Sequence, residues 1–526
     1  MVSSLLVEAL IDPTRVLRAI YDPSKEIDIF PSTVSSYFSK VFESVDAFQE
    51  IPLLDVDHPP ESHSPRALVR FRAMVQDTSP SPEMYLSKLE GNKCGGWGIA
   101  NETVQEGVDY SYADLQECTV VWAVNVPGEN RWSIEEIAGT TKGIPEKSHQ
   151  PSQQHKFPLP DVPHIGVQVK IYDHSTPDSF KSTDIVTFVG ILSSEPIHSE
   201  LDYSTPLEVP TLHVLFSKPE EPSIQGGVIE ADSSNIAVLR EDLISWIADE
   251  SLGGDRDAAE WVLLASIAKV QSRNPPILPP SLALTCFPSP SSSPPPPPAL
   301  SRVMSLLLPL SVTLPLSLPL LNTSTFAPES KNEDLHAGYL QLPAGCIVLV
   351  TESGVAEGKL IEKGIMNLKA LQDVMSSQSL PYIFPFSQFS FPTDLGFVIL
   401  AEGKKSAFFQ TSITHRLQRS KSKSEDDLYK PPGKIALPPA QTLAQFRKFL
   451  SAAKMAKVQV GDAASEYIQN DFVRERQDDK SVSADDLILR MTVARLLALS
   501  LHEQEVSVDI WERAKELDRR RKAQLS

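Results

Sequence analysis

The sequence predicts a mixed α/β chain of several domains, on three observations. Short runs of alternating apolar and polar residues lie between residues 68 and 216. From residue 251 compact apolar runs alternate with helix-spaced ones. From residue 440 onward only helix spacing remains. The chain has 526 residues, too many for one core and suited to about two to four domains. Hydrophobic content of 41% and charged content of 22% are those of a globular protein. A formal net charge of −20 repels a phosphate backbone and argues against general nucleic-acid binding; it suits a partner with basic grooves. The four cysteines, Cys94, Cys118, Cys286 and Cys346, form no C-x-x-C pair. Neither a disulfide framework nor a zinc site is expected, and a reducing compartment fits.

The N-terminus lacks a basic segment followed by an apolar core, so no signal peptide is read there. Leu5, Leu6, Ala9 and Leu10 fall at helical spacing, with a break at Pro13. Strand-like runs follow at Leu68–Val75 and Thr119–Val124, the second closed by Pro127-Gly128. Residues 1–137 are read as an N-terminal α/β region and 138–156 as a polar linker. Residues 157–235 are read as a small β-barrel-like region. There Val167, Val169 and Ile171 alternate with polar residues, and Ile185–Leu192 and Leu212–Phe216 supply further strands.

A core over 236–405 opens with a helix near Asp257–Val270, interrupted by a Pro-rich loop at 287–298 and carrying strands at Gly345–Val350 and Phe397–Leu400. Met304–Leu321 is uncharged and Leu-rich, but Pro309, Pro315 and Pro319 break it. A buried helix ending near Pro309 and then a strand is expected, not a membrane span. Residues 406–439 read as a mobile loop and 440–526 as a helical lid. In the lid Leu487, Met491, Ala494, Ala498 and Leu501 form one stripe. Ser483 with Asp486 predicts a capping box, and a last helix is expected from about Ser507.

Three groups of residues resemble one family. The first is Leu68–Asp77 with the Val126-Pro127-Gly128-Glu129 turn and Trp132. The second is Phe157-Pro158-Leu159-Pro160 with Val169–Tyr172 and Asp184–Ser193. The third runs from Asp471-Phe472-Val473 through Ala514-Lys515-Glu516-Leu517. Together, in this order, they resemble the mini-chromosome maintenance (MCM) complex-binding protein family. That family is itself similar to the subunits of the replicative helicase. Ser251-Leu252-Gly253-Gly254 looks like the opening of an AAA-type ATPase core, Gly338–Leu342 with Cys346–Glu352 like its Walker B strand, Ala370–Gln378 like the helix that follows, and Val482–Leu487 like its lid. The resemblance implies an OB-like barrel and a degenerate AAA-type core with a helical lid. It also implies a nuclear partner of MCM subunits, acting on chromatin indirectly, in helicase assembly or unloading, DNA replication and sister-chromatid cohesion.

The residues speak against ATPase chemistry. A phosphate loop needs G-x-x-x-x-G-K-[ST], so that backbone N–H groups and a lysine meet the anion. Its place after Leu282–Thr285 reads Cys286-Phe287-Pro288-Ser289-Pro290-Ser291, without glycine or lysine. Gly354–Leu360 imitates the motif, but its spacing is one residue short and Leu360 cannot hold Mg²⁺. Thr351 stands where a metal-holding aspartate is needed, and Glu352 reads as a solvated residue at a strand end. Ala401-Glu402-Gly403 replaces the sensor asparagine, and Asp485 replaces the sensor arginine. No catalytic, cofactor-binding or metal-binding residue is therefore expected. The hairpin-like segment Ser379–Phe391 has Tyr382, Phe384, Phe386, Phe389 and Phe391 but no Lys or Arg; packing against core or partner suits it better than stacking on bases. Two basic clusters, Arg416, Arg419, Lys421 and Lys423, and Arg519, Arg520, Arg521 and Lys522, are candidates for nuclear import. The alternative reading is a single-strand nucleic-acid binder or a residual nucleotide-binding AAA-like protein.

Overall fold

The computed structural model describes residues 4–525 except 90–92, 100–111, 139–152, 175–179, 198–206, 220–232, 291–295, 333, 356 and 481. The expected linker 138–156 therefore lies largely outside the described residues, as does the middle of the Pro-rich loop. Among the described residues no helix is long and apolar enough to cross a membrane.

Three helices of two or more turns lead the chain, α1 (Ser4–Ile11), α2 (Pro13–Ile20) and α3 (Phe30–Val41), followed by the single turn Val45–Gln49. Pro13 breaks the first two as expected. It sits at the first turn of α2, where its missing N–H costs nothing, and Asp12 caps that turn by accepting from the Arg15 N–H at 2.9 Å. The helices lay Leu6, Leu17, Phe38 and Phe42 against Ile191 and Phe216 of the sheet that follows.

That sheet has six strands, five of which close a ring: β1 (Leu68–Asp77), β2 (Leu115–Asn125), β3 (Gly166–Ile171), β4 (Ile185–Ile197) and β5 (Leu207–Pro219); the sixth, Glu83–Leu86, pairs with the start of β2 outside the ring. Around the ring the order is β1-β4-β5-β3-β2 and back to β1, with β3 and β5 parallel and every other pair antiparallel. Val69, Phe71, Ala73 and Val75 point one way along β1 and share a core with Val121, Val169, Phe188 and Leu212. The boundary expected at 138–156 thus divides one sheet: β1 and β2 come from the expected N-terminal region and β3–β5 from 157–235. Alternation reports that a run is a strand but not which strand it will pair with.

After α4 (Ser233–Ser251) and α5 (Arg256–Ile267) comes a parallel sheet. It contains β6 (Leu282–Thr285), then, after helix α6 (Ala299–Leu307), β7 (Ser311–Pro315) and β8 (Ile347–Thr351). The helix–strand reading of Met304–Leu321 matches α6 and β7. Helix α7 (Glu362–Ser377) and the hairpin β9 (Ser379–Phe384) and β10 (Ser387–Pro392) precede the last two strands, β11 (Gly396–Leu400) and β12 (Ile413–Arg416). The order is β7-β8-β11-β6-β12, all parallel. Ile347, Leu349 and Val398 face one helical layer, and Val348, Val350 and Phe397 face the other. Burial on both faces explains why these strands are continuously apolar.

Residues 406–439, expected as a mobile loop, are instead built into this body. Ile413 pairs with Leu282, and Leu417, Leu428 and Ile435 are buried in its core. These apolar residues are spaced too widely among charged ones to show a period. Four helices close the chain: α8 (Ala440–Met455), α9 (Asp462–Asp478), α10 (Ala484–Ser500) and α11 (Val508–Leu525). The capping box at Ser483 and Asp486 is present, as expected.

Candidate functional site at the ends of the parallel strands

In a parallel sheet with helices on both faces, ligands bind beyond the carboxyl ends of the strands. Here those ends are β6 with Cys286-Phe287, β8 with Thr351–Gly354, and β11 with Ala401-Glu402. A cavity of about 170 Å³ remains between them, lined by Phe287, Pro296, Pro298, Thr351, Glu402 and Tyr429 among others. The backbone groups that would meet a phosphate are already used. The Cys286 N–H donates to the Gly403 carbonyl at 2.9 Å and the Phe287 N–H to the Ala401 carbonyl at 3.0 Å. Tyr429 donates its hydroxyl to the Pro288 carbonyl at 2.7 Å and meets the Phe287 ring edge-on. The prolines Pro296–Pro298, immediately before α6, offer no N–H at all.

The electrostatics point the same way. Among the described residues no lysine or arginine lines the cavity. Glu402 accepts a hydrogen bond from Ser289 at its rim. Burial, followed by the Glu402 charge, pushes the Tyr429 hydroxyl up to about 12. An adjoining groove brings in Glu425, Asp426 and Asp427 alongside Lys430 and Lys434. A triphosphate in the cavity would meet proline rings and the Glu402 carboxylate, and two lysines are reached only in the adjoining groove beside three carboxylates.

Glu352 is not the solvated strand-end residue that the sequence suggests. It is 8% exposed. Its carboxylate accepts from the Ser406 hydroxyl and from the Ala407 N–H at 3.0 Å, holding the turn after β11. Burial raises its pKa and these donors oppose the rise. Thr351 is buried at the end of β8, and Asp485 is exposed in the first turn of α10. The imitation phosphate loop serves packing: a Cβ on Gly354 would lie 2.6 Å from the Leu316 carbonyl oxygen, and one on Gly358 would lie 2.3 Å from Leu318 Cδ1. Gly253 and Gly254 have φ of +61° and +84° in the turn that leads to α5. Asp255 caps that helix through the Ala258 N–H at 3.0 Å and also accepts from the Gln418 N–H at 2.7 Å.

The two basic clusters have different surroundings. In α11, Arg520 reaches Asp257 at 3.2 Å, Lys522 reaches Asp486 at 3.0 Å, Arg519 reaches Glu516 at 2.7 Å, and Arg521 is buried against Asp518. This cluster fastens the last helix. In the other, Arg419 pairs with Glu425 at 2.8 Å and Lys423 lies 3.8 Å from Asp249, while Arg416 and Lys421 are exposed. The β9–β10 hairpin is anchored by buried Leu380 and Tyr382, the latter at 2.7 Å from the Ser182 hydroxyl. It presents Phe386, which is fully exposed, with Phe389 and Phe391. Sequence reasoning also missed His155, Asp334 and His336, which the fold gathers from distant segments.

A family model described as "Mini-chromosome maintenance replisome factor" matches residues 38–156 and 135–525. The chain belongs to this family. Among its relatives, a Danio rerio protein named mini-chromosome maintenance complex-binding protein is 26% identical over 96% of this chain and 96% of its own length. Proteins of the same name from Arabidopsis thaliana and Homo sapiens are each 24% identical, covering 96% and 94% of this chain and 95% and 94% of their own lengths.

Two groups of residues that carry the resemblance to this replisome-factor family have clear structural work. The Val126–Glu129 turn docks the barrel on the parallel sheet. The Gly128 carbonyl accepts from the Ser311 N–H at 2.8 Å, and Gly128, at φ +73°, has no room for a Cβ beside Val312. Trp132 donates its indole N–H to the Ser305 carbonyl at 2.9 Å and stacks beneath Arg447 at 4.0 Å. In the C-terminal helices Asp471 accepts from the Trp511 indole at 3.0 Å and from Lys515 at 2.7 Å, joining α9 to α11.

Proposed function

We propose that this chain is a non-enzymatic partner of the MCM helicase. It docks on helicase subunits and promotes their assembly or their removal from chromatin, in support of DNA replication and sister-chromatid cohesion. The observation that carries this reading is the family match along nearly the whole chain, with relatives from animals and a plant all named as MCM complex-binding proteins.

The architecture favours an inactivated relative of a ring subunit. A closed five-stranded barrel with one parallel pair is what an OB-like reading asks for. A parallel sheet with its first strand inserted between the fourth and fifth, followed by a helical lid, is what an AAA-like reading asks for. The occupied backbone donors at Cys286 and Phe287, and a cavity lining without lysine or arginine among the described residues, argue for docking without ATP hydrolysis. The aromatic tip of the β9–β10 hairpin, free of basic residues, suits a protein surface better than a nucleic acid. Residence in the nucleus would follow from Arg416, Arg419, Lys421 and Lys423, whose exposed members an import receptor could reach.

The test is gel filtration of the full chain mixed with each purified MCM subunit in turn. Co-elution with at least one subunit is expected. Separate elution from every subunit and from the assembled ring would overturn the proposal.

A further inference from the structure

We propose that His155, Asp334 and His336 form a binding site for a zinc-class divalent cation, clamping the segment that leads into β3 to the parallel-sheet body. Asp334 and His336 are two residues apart on the short strand Asp334–His336, so their side chains leave the same face. His155 lies in the 3₁₀ turn Gln154–Lys156. Its carbonyl accepts the Ala337 N–H at 2.8 Å, which fixes the turn beside the strand.

One ligand atom from each of the three side chains lies within 4.8 Å of the other two. His155 Nε2 is 2.5 Å from Asp334 Oδ2, and the two imidazole centroids are 4.2 Å apart. Zinc at about 2.0–2.2 Å from each donor needs only small side-chain rotations from here. All three residues are partly exposed, so the rings have room to turn and a fourth position is open to water. The two imidazoles suit zinc or nickel over magnesium or calcium, and zinc also accepts an aspartate oxygen.

The surroundings are those of a supported ligand. Lys156 pairs with the other oxygen of Asp334 and with Asp77 at 2.6 Å, where β1 ends. Asp334 can thus give Oδ2 to a metal while Oδ1 stays on the ammonium, the outer contact that commonly orients a ligating carboxylate. A cation here would tie residue 155, ahead of the third barrel strand, to the body carrying residues 334 and 336. It would therefore stabilise the junction between the two.

The test uses the full chain, stripped with chelator and desalted, then titrated with zinc chloride by calorimetry and in a competition assay with a zinc-sensitive dye. One site is expected in the parent. His336→Ala and His155→Ala should each weaken it at least about tenfold, as loss of one of three ligands implies. Zinc should raise the thermal midpoint of the parent and not that of either variant, while magnesium should do neither. Both variants keep the Lys156–Asp334 pair, and circular dichroism checks that they fold. The inference fails if the parent takes up no zinc at about 100 μM, far above the range of structural sites. It also fails if both variants bind zinc as the parent does, which would put the metal on other histidines.

Discussion

Glu352 accepts a hydrogen bond from the backbone N–H of Ala407 at 3.0 Å, and its other carboxylate oxygen takes the hydroxyl of Ser406. Glu352, read from the sequence as a solvated strand-end residue, here clasps the turn after β11. Glu352→Ala leaves those donors buried without an acceptor. A loss of about 1–3 kcal/mol is expected, read as a lower urea midpoint. An unchanged midpoint would show that water replaces the clasp.

On the AAA-like reading proposed above, the cavity at the strand ends departs from a nucleotide site at several places, so repairing one is not enough. Thr351→Asp supplies the carboxylate that reading calls for, yet the Cys286 and Phe287 N–H groups stay engaged with Gly403 and Ala401. Neither the parent nor the variant should give heat on titration with ATP and Mg²⁺. Saturable binding by either would remove the argument.

Trp132 joins the barrel to the body through Ser305 and Arg447. Trp132→Ala should cost about 2–3 kcal/mol, less than the ~3–5 typical of a fully buried tryptophan because this ring is half-buried. Limited proteolysis should release the barrel from the body sooner than in the parent. Equal cleavage rates would assign the junction's strength to other contacts.

Phe386, Phe389 and Phe391 are exposed on a hairpin whose base is buried. The triple change to serine should lower the thermal midpoint only modestly, since Phe386 already meets water and the losses are the edge-on contacts of Phe389 with Phe384 and of Phe391 with Tyr382. It should weaken capture of MCM subunits at least about tenfold if the hairpin is a central anchor. Undiminished capture would move the interface elsewhere.

Glu195 gives the barrel a dependence on acid. Burial works to raise its pKa, but the hydrogen bonds and charges of His213 and Lys170 outweigh this and lower it from 4.5 to about 2. Lys170 lies 2.6 Å and His213 Nε2 2.8 Å from the carboxylate. Because the folded pKa is depressed, the unfolded chain takes up the proton first. The contribution is present above about pH 4.5 and is lost as pH falls towards 2. Urea midpoints should therefore fall more steeply with acid in the parent than in Glu195→Gln. Matching slopes would place the acid sensitivity on other groups.

Much of the local structure was legible because its signals are local. The break at Pro13, the helix and strand on either side of Pro309, the continuously apolar β8 and β11, and the Ser483 capping box each depend on neighbours within a few residues. The departures from a phosphate-loop pattern after Leu282–Thr285 belong to the sequence alone, since a missing lysine or an added proline is visible without coordinates. The family was legible for a related reason: its motifs keep their order along the chain.

What the tertiary structure decided is pairing and burial. Only the fold shows that Leu68–Asp77 closes a ring with strands from beyond residue 157, because a strand's alternation carries no information about its partner. Only the fold turns Glu352 from an exposed strand-end residue into a buried clasp, and residues 406–439 from a loop into the edge of the parallel sheet. It also separates two basic clusters that look alike in sequence, one fastened to Asp257, Asp486, Glu516 and Asp518, the other with exposed members. The sequence by itself determined most of the element types, the strand at Ile413–Arg416 excepted, and the family. The partners of each strand and the dielectric around each charge depend on residues hundreds of positions away, and only the packed chain brings those together.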